Sequence, residues 1–341
     1  MTQPAFSIEP QHDAVRLLHE HFEATEPEQR PHTLPIALWE RALLGPLADF
    51  MSRPGKEFRA RLVRLSWELA GRRNAPPAEL PLIVEALHAG SLIVDDIEDG
   101  STYRRGAPAL HHSYGLPLAL NAGNWLYFWP AELLSRLELP PVTELALHRV
   151  IGRTLLSCHE GQALDLSTQI VELEQARVPA VVATTTALKT GKLFELAAAV
   201  GAIAAGAPST TVRALVEFGQ QLGTGLQMLD DLSGLTSESR CHKGHEDLLG
   251  GRATWPWAWA AERCDRLVYN RLRELGREVT TQGLHPEHLA EALRQALGDV
   301  GRHKVHDHLH AALKALSSAL GPSRALDEVS HEIISLEHSY G

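Results

Sequence analysis

Apolar residues recur at three- and four-residue spacing along most of this chain, in tracts dominated by Ala, Leu, Glu and Arg, and β-branched runs are scarce. That period belongs to amphipathic and buried α-helices and not to strands, so the expected fold class is all-α. Helices are predicted near 35–50, 56–72, 78–99, 116–137, 141–168, 178–204, 210–232, 254–275, 286–297, 300–320 and 325–338. Proline and glycine separate them, as in Pro76-Pro77, Gly106-Ala107-Pro108, Pro140-Pro141 and Gly321-Pro322. No interior stretch reads as a flexible linker and no solenoid repeat is present. The expected organisation is a polar N-terminal tail over 1–30 and one large helical bundle over 31–341.

Composition limits the function. With 32 Lys and Arg against 42 Asp and Glu the formal charge is -10, which argues against coating a nucleic acid or an anionic membrane surface. The longest smooth apolar stretch, Leu196 to Ala207, is shorter than the roughly 18–20 residues of a membrane span, so no stable membrane insertion is expected. The first 30 residues lack the apolar region of a secretory signal. Three widely spaced cysteines, Cys158, Cys241 and Cys264, offer no disulfide framework, and the expected setting is cytoplasmic.

The strongest local signal is Leu92-Ile93-Val94-Asp95-Asp96-Ile97-Glu98-Asp99. On a helix, Asp95 and Asp99 are four apart and Asp96 and Asp99 three apart, so the three carboxylates crowd one face. They stand at the carboxyl end of the helix, where the macrodipole is also negative. A cation must offset them, or the helix end must be fully solvated. Hard divalent ions take oxygen ligands, and Mg2+ in particular is shared between a few carboxylates and a substrate phosphate. A second pair, Asp230-Asp231, follows Gln227 at the end of another apolar helix. Arg104-Arg105 lie just beyond the first cluster, and Lys243 and Arg252 beyond the second. Arginine forks match phosphate oxygens and lysine supplies a compact charge. Alternating acid and base of this kind is the pattern of a metal-diphosphate site, and two such helix ends suggest a single mouth.

These residues resemble the trans-isoprenyl diphosphate synthases, and within them the eukaryotic-type geranylgeranyl diphosphate synthases. The resemblance covers about residues 34–256. It runs from Pro54-Gly55-Lys56-Glu57-Phe58-Arg59 through His88, the Asp95–Asp99 cluster and Arg104-Arg105-Gly106. It continues through Tyr127-Phe128, His159-Glu160-Gly161-Gln162 with Asp165, Lys189-Thr190-Gly191 and Gln227-Met228-Leu229-Asp230-Asp231. Asp247-Leu248 and Gly251-Arg252-Ala253-Thr254-Trp255-Pro256 close it. So many elements in family order make a far more specific signal than one D-D-x-x-D.

The resemblance implies the isoprenoid synthase type of helical bundle, with a central active-site cavity, and a role for each matching residue. Asp95, Asp96, Asp99, Asp230 and Asp231 would hold Mg2+ against an allylic diphosphate. Arg104, Lys189, Lys243 and Arg252 would neutralise that group. Lys56, Arg59, His88 and Arg105 would bind isopentenyl diphosphate without metal. Lys56 and Arg59 are expected on one helix face, and His88 two turns before Asp95 on the same stripe. Gln227 and Thr190 would stabilise the developing allylic cation, with Lys189 beside them. The implied reaction is ionisation, condensation and elimination, with no nucleophilic side chain, in a homodimer. Gly90 and Ser91 are small, so no aromatic plug is expected one turn above the metals. Tyr127, Phe128 and His159 match the positions of the chain-length floor, which favours a twenty-carbon product.

Some positions depart from the family pattern. Gly234 stands where many members have a third acid in the second motif, Arg252 replaces the commoner Lys, and Ala60 and Leu226 replace a frequent Pro and Phe. Two rival readings are a class I terpene cyclase and a noncatalytic subunit of a heteromeric synthase. The presence of Lys56, Arg59, His88 and Arg105 disfavours the first, and the intact Asp95, Asp96 and Asp99 disfavour the second. Among the 19 histidines, Cys241-His242-x-x-His245 and His303-x-x-His306-x-His308-x-His310 invite a metal reading. His306 and His310 have the spacing of a helical zinc pair. With no third ligand near them in sequence, solvated or capping histidines are the expectation.

Overall fold

The structure, a computed structural model, describes residues 10–23, 34–237, 240–283 and 285–340. The chain divides into two compact units, Met1–His148 with Ile203–Gly206, and Arg149–Ala202 with Ala207–Gly341.

The first unit begins with α1 (Pro10–Glu23). Helix α2 (Ile36–Trp39) passes through a π-helical segment, Glu40–Leu44, into α3 (Gly45–Ser52). Then come α4 (Phe58–Leu69), α5 (Glu79–Glu98), a two-residue hairpin of β1 (Tyr103–Arg104) and β2 (Ala107–Pro108), α6 (Leu110–Tyr114) and α7 (Leu116–Ser135). The expected polar tail thus carries a helix. Ala14, Leu17, Leu18 and Phe22 are buried along one stripe of α1, at the spacing of an amphipathic helix; the rest of 1–30 lies outside the described residues.

Helix α5 is the spine of this unit. Leu80, Leu82, Ile83, Val84, Leu87 and Ile93 are all buried, each contributing roughly 1.5–3 kcal/mol of transfer free energy. Its main neighbour is α7, and Gly90 and Gly123 permit the approach. A Cβ on Gly90 would lie 2.8 Å from the Gly123 carbonyl oxygen and 3.1 Å from Leu126 Cβ. The small residue at 90 therefore serves helix packing.

Helix α8 (Pro141–Ser167) runs through the division between the units. In the second unit, α9 (Val178–Thr186) continues through a π-helical segment, Ala187–Gly191, into α10 (Lys192–Ala204). The rest is α11 (Ser209–Thr236), α12 (Cys241–Leu249), α13 (Trp255–Arg263), α14 (Arg266–Gln282), α15 (Pro286–Leu297), α16 (Val300–Leu320) and α17 (Arg324–Tyr340). Phe194, Trp257, Trp259 and Tyr269 are its largest fully buried side chains. The helix expected over 254–275 is broken at Asp265, whose carboxylate accepts from Leu267 N and Val268 N at 2.9 Å and so caps α14. Helix α12 was not foreseen from sequence. Among the described residues, no helix is long and apolar enough to cross a membrane.

Candidate functional site

In the first unit the acidic cluster sits where the periodicity put it, on the last turn of α5, with Asp99 as the C-cap. Its three carboxylates are not equivalent. Asp96 is fully buried, Asp95 is half-buried and Asp99 is exposed. Arg104 reaches back from β1, donating from Nε to Asp96 Oδ1 at 2.7 Å and lying 3.7 Å from Asp95 Oδ2. Its Nη2 makes a second, close contact to Asp96 Oδ1. Burial pushes the Asp96 carboxyl up from its ordinary range, and the Arg104 guanidinium opposes that. Asp96 Oδ2 is buried with no hydrogen-bond partner.

The hairpin that presents Arg104 and Arg105 is shaped by its sequence. Arg105 and Gly106 at its tip both have positive φ, 54° and 76°, the geometry of a type I′ turn. Arg53, a residue not singled out from the sequence, ties this hairpin to α3. Its buried guanidinium donates to the carbonyls of Arg104 at 3.2 Å and Pro108 at 2.9 Å, and to Asp49 Oδ1 at 3.0 Å. No local spacing signals such a role, because its hairpin partners lie more than fifty residues away.

Arg105 helps line a small recess together with Glu57, Glu85, Met51 and Ala89. On the stripe of α5 leading to it, His88 Nε2 lies 3.1 Å from Arg59 Nη1. Burial first, and then the charges of Arg59, Arg105 and Arg104, hold His88 well below the ordinary imidazole range. It is therefore neutral and accepts the guanidinium hydrogen bond at Nε2. Lys56 departs from expectation. It is exposed in the loop before α4, cut off from the helix by Glu57 at a φ of 50°, and so shares no helix face with Arg59. Of the expected floor residues, Tyr127 is half-buried on α7, while the Phe128 ring is 77% exposed.

In the second unit, the π-helical segment at Ala187–Gly191 carries Lys189 and Thr190, a distortion common at functional positions. Lys189 Nζ donates to Asp165 Oδ2 at 2.7 Å, and Arg252 Nη1 donates to the Asp165 carbonyl at 2.6 Å. Two turns before Asp165, His159 is exposed and its Nδ1 lies 2.8 Å from the Leu155 carbonyl.

A chain of hydrogen bonds runs from Thr190 Oγ1 to Gln227 Oε1 at 3.0 Å, from Gln227 Nε2 to Asp231 Oδ1 at 2.7 Å, and from Trp255 N to Asp231 Oδ2 at 2.9 Å. The amide of Gln227 is thereby oriented from both ends. Each oxygen of Asp231 holds a protein donor, so its carboxylate also positions Gln227. Burial raises its carboxyl to about 7, against the opposing pull of the Trp255 N–H and Gln227. Nearby Asp247 is raised to about 6 by burial, with Lys243 opposing.

Asp230 faces cations. Arg240 Nη2 donates to Asp230 Oδ1 at 2.8 Å, and Lys243 contacts Asp230 Oδ2. Arg240, also missed from sequence, donates to Ser233 Oγ at 2.9 Å as well. The third-acid position, Gly234, packs on Gly244 of α12: a Cβ at Gly234 would lie 2.9 Å from Gly244 Cα. An acid there would push away the helix that carries Lys243.

The donor set suits a hard divalent ion. Asp95 and Asp99 offer carboxylate oxygens in the first unit, beside the buried Asp96 Oδ2 that has no hydrogen-bond partner, and Asp230 offers them in the second. Among the described residues, neither acidic cluster brings three ligand atoms within 4.8 Å of one another.

Known proteins share this arrangement's fold and sequence. The polyprenyl synthetase family model matches residues 40–293. Geranylgeranyl pyrophosphate synthase 2 of Zymoseptoria tritici is 35% identical over 234 residues, 66% of this chain and 66% of that one. Geranylgeranyl diphosphate synthase of Sulfolobus acidocaldarius is 32% identical over 189 residues, 54% of this chain and 56% of that one. The match thus spans about two thirds or less of these two relatives' lengths. Among solved structures, decaprenyl diphosphate synthase of Rhodobacter capsulatus superposes with a TM-score of 0.78 at 21% identity, covering 97% of this chain and 96% of that one. Polyprenyl synthase of Caulobacter crescentus, complexed with calcium and isoprenyl diphosphate, gives 0.73 at 24% identity, covering 96% and 94%. The helices, the ordered motifs and the family match agree: this chain belongs to the polyprenyl synthetase family.

Proposed function

We infer that this chain is a trans-prenyltransferase that condenses isopentenyl diphosphate with an allylic diphosphate, giving geranylgeranyl diphosphate. The observation that carries the reading is the alternation of acid and base along α5 and its hairpin. Asp95 and Asp96 meet Arg104 at one end, and Arg59 meets neutral His88 two turns earlier. Carboxylates alone would bind a metal and guanidinium groups alone an anion; together they suit a metal-bound diphosphate beside a second diphosphate held by cations. The relatives that are geranylgeranyl diphosphate synthases support the twenty-carbon product.

Asp95, Asp99 and Asp230 would hold Mg2+, which when bound supplies charge stabilisation of the departing diphosphate. Arg104, Lys189 and Lys243 add fixed positive charge, and such preorganised charge outweighs the same groups in water. Arg59, His88 and Arg105 would hold isopentenyl diphosphate, with His88 giving the Arg59 guanidinium a fixed acceptor. Exposed Lys56 would reach the same group from its loop. Arg252, anchored on the Asp165 carbonyl, supports the segment opposite Lys189. Gln227 Oε1 and Thr190 place oxygen dipoles toward the developing allylic cation, oriented by Asp231. The cation alkylates the double bond of isopentenyl diphosphate, and a proton then leaves to the released diphosphate. Tyr127, Phe128 and His159 would set chain length.

A homodimer is part of this reading, supported by large apolar side chains left exposed on α7 and α8, Phe128 and Leu156 among them. A reducing, cytoplasmic setting fits Cys158, Cys241 and Cys264, which form no disulfide. The test is incubation with Mg2+, isopentenyl diphosphate and dimethylallyl, geranyl or farnesyl diphosphate, followed by product sizing. A twenty-carbon diphosphate that disappears with EDTA is expected. A cyclic hydrocarbon from a long diphosphate, without condensation, would assign a cyclase; inertness with every primer would assign a noncatalytic subunit.

A further inference from the structure

The histidines of α16 acquire a partner that lies far from them in sequence. His306 and His310 occupy successive turns, with ring centroids 4.0 Å apart. Glu337, on α17, lies against both: its Oε1 is 3.2 Å from His306 Nδ1 and its Oε2 is 3.3 Å from His310 Nε2. One ligand atom from each residue falls within 4.8 Å of the other two. A tetrahedral ion about 2.1 Å from each ligand sets neighbouring donors about 3.4 Å apart; here each imidazole meets a different oxygen of the carboxylate, so an ion would draw the three groups together by a side-chain adjustment.

The setting of Glu337 sharpens the point. Leu326, Val329 and Ile333 are the buried stripe by which α17 packs, and 337 is the next position on that stripe. A carboxylate replaces an apolar residue there, and only 18% of its side chain is exposed. On α16, Val305 and Leu309 are buried beside the two histidines, so the imidazoles project from a helix whose position is already set. Neighbouring His308 is engaged elsewhere, its Nε2 2.9 Å from the Gln221 carbonyl on α11.

We propose that His306, His310 and Glu337 form a binding site for a borderline divalent transition ion, Zn2+ being the reference case, which clips α17 onto α16. Two imidazoles and one carboxylate favour Zn2+ or Co2+ over Mg2+, so this site differs in chemistry from the carboxylates of the diphosphate reading and does not depend on it. Three protein ligands leave a fourth position for water. Among the described residues the other such group, His285, Glu287 and His288, is wholly exposed and bunched at the first turn of α15, where the helix dipole repels cations; it serves as the control.

The test uses the full chain stripped with EDTA and dialysed, then titrated calorimetrically with Zn2+ and, in parallel, with Co2+ read by its visible d–d absorption. Expected are one ion per chain and a tetrahedral Co2+ spectrum. The double variant His306→Ala/His310→Ala should lose both, and Glu337→Gln should weaken Zn2+ by more than the ~10–100-fold typical of losing only a supporting hydrogen bond. Hydrogen exchange over 324–340 should slow with Zn2+ in the wild type and not in the double variant, with circular dichroism checking that each variant is folded. Equal Zn2+ binding by wild type and double variant would overturn the proposal. So would loss of binding only in His285→Ala/His288→Ala, or Zn2+ bound with no slowing of exchange in α17.

Discussion

Gly234 of α11 and Gly244 of α12 meet backbone to backbone, so closely that a Cβ on Gly234 would lie 2.9 Å from Gly244 Cα. This contact brings α12 against the acidic end of α11 and sets Lys243 beside Asp230. Overpacking such a contact costs about 1–3 kcal/mol. Gly244→Ala should therefore lower stability by that amount and reduce kcat/KM, because Lys243 moves from the acid it neutralises. Restoring the family's third acid as Gly234→Asp should be at least as harmful, with no gain in activity. Denaturant melts and steady-state kinetics on both variants check this.

Arg104 and Asp96 form an unequal pair, the acid fully buried and the guanidinium about a quarter exposed. Arg104→Ala leaves the acid without its partner, and breaking a buried pair in this way costs about 3–5 kcal/mol. The partial exposure of Arg104 places the expected loss at the low end. Asp96→Asn/Arg104→Gln should recover part of the stability and none of the activity, measured by urea unfolding and product formation.

His88 is held below its ordinary range by burial and by three arginines. Its folded pKa is depressed, so the unfolded chain binds a proton that the native state refuses. The contribution is thus complete above about 6.5, the unfolded value, and is lost as pH falls from there through the folded pKa. His88→Gln should flatten the pH dependence of stability below about 6.5 while raising KM for isopentenyl diphosphate more than for the allylic partner. Urea midpoints against pH, with paired KM values, check both.

Tyr127 and Phe128 stand side by side on α7 and point differently, Tyr127 half-buried and Phe128 outward. The double variant Tyr127→Ala/Phe128→Ala should yield products longer than geranylgeranyl diphosphate. Tyr127→Ala alone should account for most of the change, since its ring is the more enclosed in a single chain. Product sizing by mass spectrometry checks both variants, and an unchanged length would remove these residues from the floor.

Most of the helical framework was legible before any coordinates, because the three- and four-residue apolar period is a local property. The α5 pattern from Leu80 to Ile93 could only be a buried helix, and the acids at its end followed from counting. Breaks were harder to see. The one predicted helix over 254–275 is two because Asp265 caps a new one, and Lys56 lies outside α4 because Glu57 takes a left-handed conformation. Caps and turns of this kind compete with helix continuation by small free energies that periodicity does not reveal.

The sequence by itself determined the fold class, the family, and which charged groups gather at helix ends. Only the tertiary structure decided which of them meet. Gly90 proved to be a packing residue, Asp231 a holder of Gln227, Arg53 the anchor of the hairpin, and Glu337 the missing companion of His306 and His310. The reason is one of range. A helix's own faces follow from residues three or four apart, whereas these pairings depend on where helices cross, and that is set by the packing of side chains tens of residues distant.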